Sequence, residues 1–115
     1  MSEKKEKNEE TLNTIVGPGS VFAGEFIIAG GARIDGIVKG PIQMKGTLLV
    51  GESGNIVAPK IEASSAVIGG IVEAQLLLAP EKVHLRSTAK FTGTIKTKTL
   101  VIDEGAKFQG TSVLP

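Results

Sequence analysis

The sequence predicts an all-β, single-domain parallel β-helix, a triangular solenoid of about six coils, on three observations: an apolar anchor that returns every 16 to 18 residues, period-two alternation around each anchor, and turn formers at the bends. The anchors Val16, Ile34, Val50, Ile68, Leu85 and Ile102 are spaced 18, 16, 18, 17 and 17 residues apart. That step is too long for a hairpin and too short for a helical repeat. Three short strands fit into each step, with Gly, Asp, Asn, Ser and Pro where the chain must bend. A β-sandwich shares this composition but predicts no fixed repeat.

Met1 to Glu10 carry three Lys against four Glu and almost nothing apolar, the composition of a solvated segment. The expected division is therefore a disordered charged tail over residues 1–12, a β-helix domain over 13–112 and a short C-terminal tail over 113–115. The first coil opens with Val16-Gly17-Pro18-Gly19-Ser20 and runs on to Phe22 and Gly24. The same long form recurs from Val50 to Ile56 and Ala58, from Leu85 to Phe91 and Gly93, and from Ile102 to Phe108 and Gly110. Two shorter forms, Ile34-Asp35-Gly36 to Val38 and Ile68-Gly69-Gly70 to Val72, lose two residues from the turn. An even-numbered deletion keeps the same side chains pointing inward. The column two positions before the anchor (Thr14, Ala32, Leu48, Ala66, Val83, Leu100) is mostly apolar too. A third strand is expected at Phe26, Ile42, Lys60-Ile61, Leu76 and Ile95. Stacked at about 4.8 Å per coil, six coils make a rod roughly 25 to 30 Å long.

A chain of 115 residues is one domain in size, and its 15 glycines with four Phe, no Trp and no Tyr suit regular stacking better than a core of large side chains. It contains no cysteine, which removes disulfides and thiolate metal sites and fits a reducing compartment such as the bacterial cytoplasm. The N-terminus has no signal-peptide apolar run, and no stretch approaches the roughly 18 apolar residues of a membrane span. The formal charge of +1 directs the chain to no partner class, and the local excess of base from Arg86 onward reads as a solvated face. No nucleic-acid partner is expected.

Catalytic chemistry finds few candidates. Gly17-Pro18-Gly19 falls in dinucleotide-fingerprint register but has Phe22 where the third glycine belongs and no helix after it, so it is a coil corner. No Gly-Lys-Ser or Gly-Lys-Thr phosphate loop occurs. Ser53 in Gly51-Glu52-Ser53-Gly54 is one residue short of nucleophile-elbow spacing and reads as a turn residue. His84, the only histidine, sits where alternation turns it outward as a lone exposed strand histidine, and a zinc site would need three carboxylates to join it. The scattered acids look like surface solubilisers, and no cofactor or metal is expected.

Thr14-Ile15-Val16-Gly17-Pro18-Gly19, Arg33-Ile34-Asp35-Gly36 with Val38-Lys39-Gly40, Leu49-Val50-Gly51, Ile68-Gly69-Gly70 and Gly105-Ala106-Lys107-Phe108-Gln109-Gly110 occur in one order along the array, and in this the chain resembles the bactofilin family of bacterial cytoskeletal proteins. The resemblance covers residues 13 to 112. It implies a right-handed β-helix, nucleotide-independent polymerisation into non-polar filaments, and a scaffold role in cell shape and envelope organisation. It further implies a cytoplasmic, cytoskeletal location reaching at most the inner face of the inner membrane, with the chain itself as partner and cell-envelope or cell-wall proteins as further ones. The Glu-rich tail departs from the apolar and basic segment that attaches many bactofilins to membrane, so membrane contact is not expected.

Two surfaces follow from the repeat. A solenoid leaves unpaired strand edges and a slice of core at each end, and soluble monomeric solenoids cover these with a cap that this sequence does not supply. Phe22, Phe26 and Ile28 at one end and Leu100, Ile102 and Phe108 at the other are the expected polymer interface. The outward column Ile15, Arg33, Leu49, Val67, His84 and Val101 is apolar at four of six positions, which makes Ile15, Leu49, Val67 and Val101 the expected lateral contact. Two other classes compete: an adaptor presenting a flat β face, for which the threonines near Thr92 to Thr99 suggest an ice-binding variant too short for a regular array, and a hexapeptide-repeat enzyme. The enzyme would need 18-residue coils and several histidines. Removing Met1 to Glu10 is expected to leave the circular dichroism spectrum β-rich and the melting temperature nearly unchanged, since those residues supply no strand pairing.

Overall fold

The structure, a computed structural model, describes residues 12–115. The expected tail up to residue 11 lies outside the described residues, and the first strand begins at Leu12. Six coils follow one another. Coil 1 holds β1 (Leu12–Val16), β2 (Val21–Ala23) and β3 (Phe26–Ile28), and coil 2 holds β4 (Gly31–Ile34), β5 (Ile37–Lys39) and β6 (Ile42–Met44). Coil 3 holds β7 (Thr47–Val50) and β8 (Asn55–Glu62), and coil 4 holds β9 (Ser65–Ile68) and β10 (Ile71–Leu78). Coil 5 holds β11 (Lys82–Leu85) and β12 (Lys90–Lys96), and coil 6 holds β13 (Leu100–Ile102) and β14 (Lys107–Val113). Every pairing is parallel and joins neighbouring coils.

The first face is a six-stranded sheet in the order β1-β4-β7-β9-β11-β13. The second and third faces form one bent sheet, because from coil 3 onward the expected second and third strands run together as single long strands. Inward columns stack as the alternation requires: Ile34 on Val50 on Ile68 on Leu85, and Val38 on Ile56 on Val72 on Phe91, each no more than 1% exposed. At about 1.5 to 3 kcal/mol for each fully buried aliphatic or Phe, these columns supply the main stabilisation of a fold without a single large aromatic cluster. Thr97 is the one buried polar side chain among the described residues, and its hydroxyl donates to the Thr99 carbonyl at 3.3 Å.

Coil length varies while the columns stay in register, and the corners absorb the difference. At the corner between the second and third faces, Gly24, Gly40, Gly93 and Gly110 adopt φ of 143°, 135°, 132° and 149° and turn the chain in place. Coils 3 and 4 have Ala58 and Ala74 there, and among the described residues no non-glycine residue has positive φ. These coils take one more residue instead, Pro59 and Gln75, so Ile42 pairs with Ile61, and the ladder shifts by one between Ala74 and Leu76 where coil 4 meets coil 5. The inward residue of the third face in coil 4 is therefore Leu77, 0% exposed, and Leu76, the sequence marker for that strand, turns partly outward.

The first corner uses a different device. The long turns close with Ser20 N–H to Gly17 O (3.1 Å), Gly54 to Gly51 (2.9 Å), Ala89 to Arg86 (2.8 Å) and Ala106 to Asp103 (3.1 Å). Their third residue is Gly19, Ser53, Thr88 or Gly105. Ser53 and Thr88 stand on the long turns that follow the two shortened ones, and there the Ser53 hydroxyl donates to Asp35 O at 2.8 Å and the Thr88 hydroxyl to Gly69 O at 2.6 Å. Each satisfies a carbonyl of the shortened turn.

Gly93→Ala forces an L side chain into φ near 132° and drives its Cβ into the Ala74 carbonyl. The expected cost is about 2–4 kcal/mol, read as a lower melting temperature. Inserting one residue after the new alanine, in imitation of Ala74-Gln75, is expected to recover most of the loss.

Candidate assembly surfaces

The exposed apolar chemistry of the chain gathers at its ends. In coil 1 the strands β1, β2 and β3 each pair on one side only, with β4, β5 and β6, which leaves a row of backbone groups open. Phe22 is 39% exposed and packs edge-on against Phe26, centroids 4.1 Å apart and planes at 72°. With Val16, Phe26 and Ile28 it lines an apolar slot built from coil 1 residues. Phe26 and Ile28, expected as open interface residues, are themselves 8% exposed, because coil 2 covers one side through Ile42 and Met44 and Phe22 lies over Phe26. Ile15 and Ile27 are 67% and 73% exposed.

At the other end β13 and β14 pair only with β11 and β12. Phe108 and Leu100 pack half-buried against the core, the Phe108 ring 5.7 Å from that of Phe91, while Ile102 is 46% exposed. Phe91 has coils on both sides and is 0% exposed, whereas Phe108 occupies the same column with a coil on one side only. The two ends thus present the same column at two exposures.

Along the first face the outward row is more covered than sequence alone suggests. Ile15 is open, but Leu49, Val67 and Val101 are half-buried, since each outward side chain rests on its neighbours one strand away. Arg33 Nε donates to Asp35 Oδ2 at 2.7 Å, and that hydrogen bond, aided by the carboxylate charge, holds the guanidinium above its ordinary range. His84 is not the lone exposed histidine expected. It is half-buried with Nε2 2.9 Å from Asp103 Oδ1, a partner 19 residues away delivered by the long turn of coil 6.

A groove runs along the rim of this face beside the first corner, lined among others by Arg33, Asp35, Glu52, Ser53, Arg86 and Thr88. The hydroxyls of Ser53 and Thr88 are committed to backbone carbonyls, and His84 lies outside it. Among the described residues no group of three His, Cys, Asp or Glu could hold a metal ion, and no helix is long and apolar enough to cross a membrane.

Fold and surface together define a class: a single-domain parallel β-solenoid whose open chemistry lies at its ends and along one face rather than in a cavity. A family model described as bactofilin, polymer-forming cytoskeletal, matches residues 14–113, and the chain belongs to the bactofilin family. It is 36% identical over 98 residues to bactofilin BacO of Myxococcus xanthus, covering 85% of this chain and 76% of that protein. To BacP of the same organism it is 30% identical over 98 residues, spanning 40% of that longer protein. Among solved structures it resembles Thermus thermophilus bactofilin in double helical filaments, reconstructed by electron cryo-microscopy, with a TM-score of 0.83 and 39% identity over 90% of this chain and 100% of the other. The crystal structure of an arginine-for-phenylalanine mutant of Thermus thermophilus bactofilin matches with a TM-score of 0.74 and 40% identity over 81% of this chain and 100% of the other.

Position in the column decides what each phenylalanine contributes. With the chain diluted enough to stay unassembled, Phe91→Ala is expected to cost about 3–5 kcal/mol and Phe108→Ala about 1–2 kcal/mol, as measured by denaturant unfolding.

Proposed function

We propose that this chain is a cytoskeletal scaffold subunit that polymerises end to end, without nucleotide, by continuing its own β-ladder from one copy to the next. The observation that carries the reading is the pairing of one-sided strands with exposed apolar side chains in both terminal coils: Phe22 and Ile27 at one end, Ile102 and Phe108 at the other. Docking one end on another pairs the open backbone groups and removes the end-facing Phe22, Ile102 and Phe108 from water. No step of that process needs bound energy from a cofactor. Phe22, Phe26, Ile28, Leu100, Ile102 and Phe108 are the proposed joint, with Phe26 and Ile28 closing it from beneath the Phe22 ring. The family membership supports the polymer, and the similar Thermus protein forms filaments. A non-enzymatic role in bacterial cell shape and envelope organisation, in the cytoplasm and with envelope proteins as further partners, extends the same reading.

Phe108 lies in every joint that the coil 6 end makes. In a head-to-tail contact its column continues onto Phe22, and in a symmetric contact it faces the same end of a second copy. An arginine there would be desolvated without a partner, at a cost of several kcal/mol, about the scale of a polymer contact. Phe108→Arg is therefore expected to give small soluble species with an unchanged β-rich circular dichroism spectrum, while the unaltered chain sediments as polymer with or without added nucleotide. Long filaments from Phe108→Arg, or an unaltered chain that sediments as a monomer at every concentration, would contradict the reading.

A further inference from the structure

We propose that the corner between the second and third faces is a docking groove for a short amphipathic helix of a partner protein, apolar along one stripe with a lysine or arginine beside its middle. The site rests on the scaffold reading and deepens it, naming where a further partner is held and by what chemistry, although each subunit carries the groove whole. Glycine turns this corner in place in four coils, whereas coils 3 and 4 use Ala58 and Ala74 and add Pro59 and Gln75. Register by itself requires no added residue, since glycine meets it in the other coils. What the addition changes is the surface.

In both coils an exposed residue stands on each side of a buried one: Val57-Ala58-Pro59 and Glu73-Ala74-Gln75, with the alanines 5% exposed. The added residue raises a rim beside the alanine, and Val57 and Glu73 form the opposite side. Val57 pairs with Glu73 and Ala58 with Ala74, which sets the two triplets next to each other, and Gly93 continues the line on coil 5. The result is a mostly apolar groove of about 470 Å³ that runs across the strands, along the rod. Val57 is 43% exposed in it. Glu73 is the one charged residue of its lining and has no ion pair among the described residues.

The occupant follows from backbone, spacing and charge. β8 and β10 each have a partner strand on both sides, so the groove offers no strand edge to an incoming extended peptide. A segment that satisfies its own backbone fits there, which selects a helix. Helical turns about 5.4 Å apart follow coils about 4.8 Å apart closely enough that side chains at i, i+4 and i+7 fall on successive coils. Three coils take about ten residues of helix. Glu73 lies on the middle one of these coils, so a lysine or arginine at the middle of the helix pairs with it and a carboxylate there is repelled. Lys39 and Lys90, on coils 2 and 5, flank the groove outside its lining, so acidic residues of the partner belong at the two ends of the helix.

The probe is a labelled helical peptide of about 14 residues with leucines at i, i+4 and i+7 and lysines beside the middle one, together with a twin that has glutamates for the lysines. Fluorescence anisotropy is expected to show saturable binding of the lysine peptide both to the unaltered chain and to the Phe108→Arg chain, with the glutamate peptide about tenfold weaker. Glu73→Lys is expected to reverse that preference. Val57→Lys is expected to abolish binding of the lysine peptide with an unchanged circular dichroism spectrum, and Gln43→Lys on the third face to leave it as it was. Equal binding of the two peptides, a preference that Glu73→Lys does not alter, or no binding of the lysine peptide to either chain would overturn the groove. Binding to the Phe108→Arg chain but not to the polymer would show a neighbouring copy in the groove and overturn the partner helix. An unaltered chain that sediments as a monomer but keeps the peptide preference would remove the end joint and leave the groove standing.

Discussion

Everything in this molecule depends on one constraint: each coil must lie on the next in parallel register, so that every backbone group in a strand finds its partner one coil away. A shift of one residue would turn an inward column outward. The constraint leaves the strands almost no freedom, and the variation in coil length is forced into the corners. Glycine with positive φ turns a corner without using length, alanine turns it only with Pro59 or Gln75 added, and a shortened first turn recovers its lost hydrogen bond from Ser53 or Thr88 on the following coil. These are three local solutions to one register condition.

The same constraint leaves the two terminal coils open. A ladder that is complete between coils is incomplete at the first and the last, and the cost of the open edge is relieved most directly by another copy with the same edge. The column of Val38, Ile56, Val72 and Phe91 is closed by coils on both sides, whereas Phe22 and Phe108 cap it with one side open. A bactofilin subunit is in this sense a segment of a longer core.

The faces differ in what they offer. The second and third mix lysine, glutamate and aliphatics. On the first, apolar positions alternate with Arg33 and His84, each of which holds a carboxylate of the same chain, Asp35 and Asp103.

Much of this was legible in the residues alone, because period-two alternation and a repeat of 16 to 18 residues report directly which side chains face inward and how the chain closes on itself. The inward columns, the turn glycines and the apolar row of the first face could all be read along the chain. What the sequence could not decide were contacts between coils. The added residue at Pro59 and Gln75, which moves the inward position from Leu76 to Leu77, depends on which corner can reach positive φ. The burial of Phe26 and Ile28 depends on the coil beside them, and the pair of His84 with Asp103, 19 residues away, depends on the turn of coil 6 lying beside the strand of coil 5. Local pattern fixes the direction of each side chain, but its neighbours are set only when the coils stack, and so the fold lay in the sequence while the environment of each surface residue was decided by the tertiary structure.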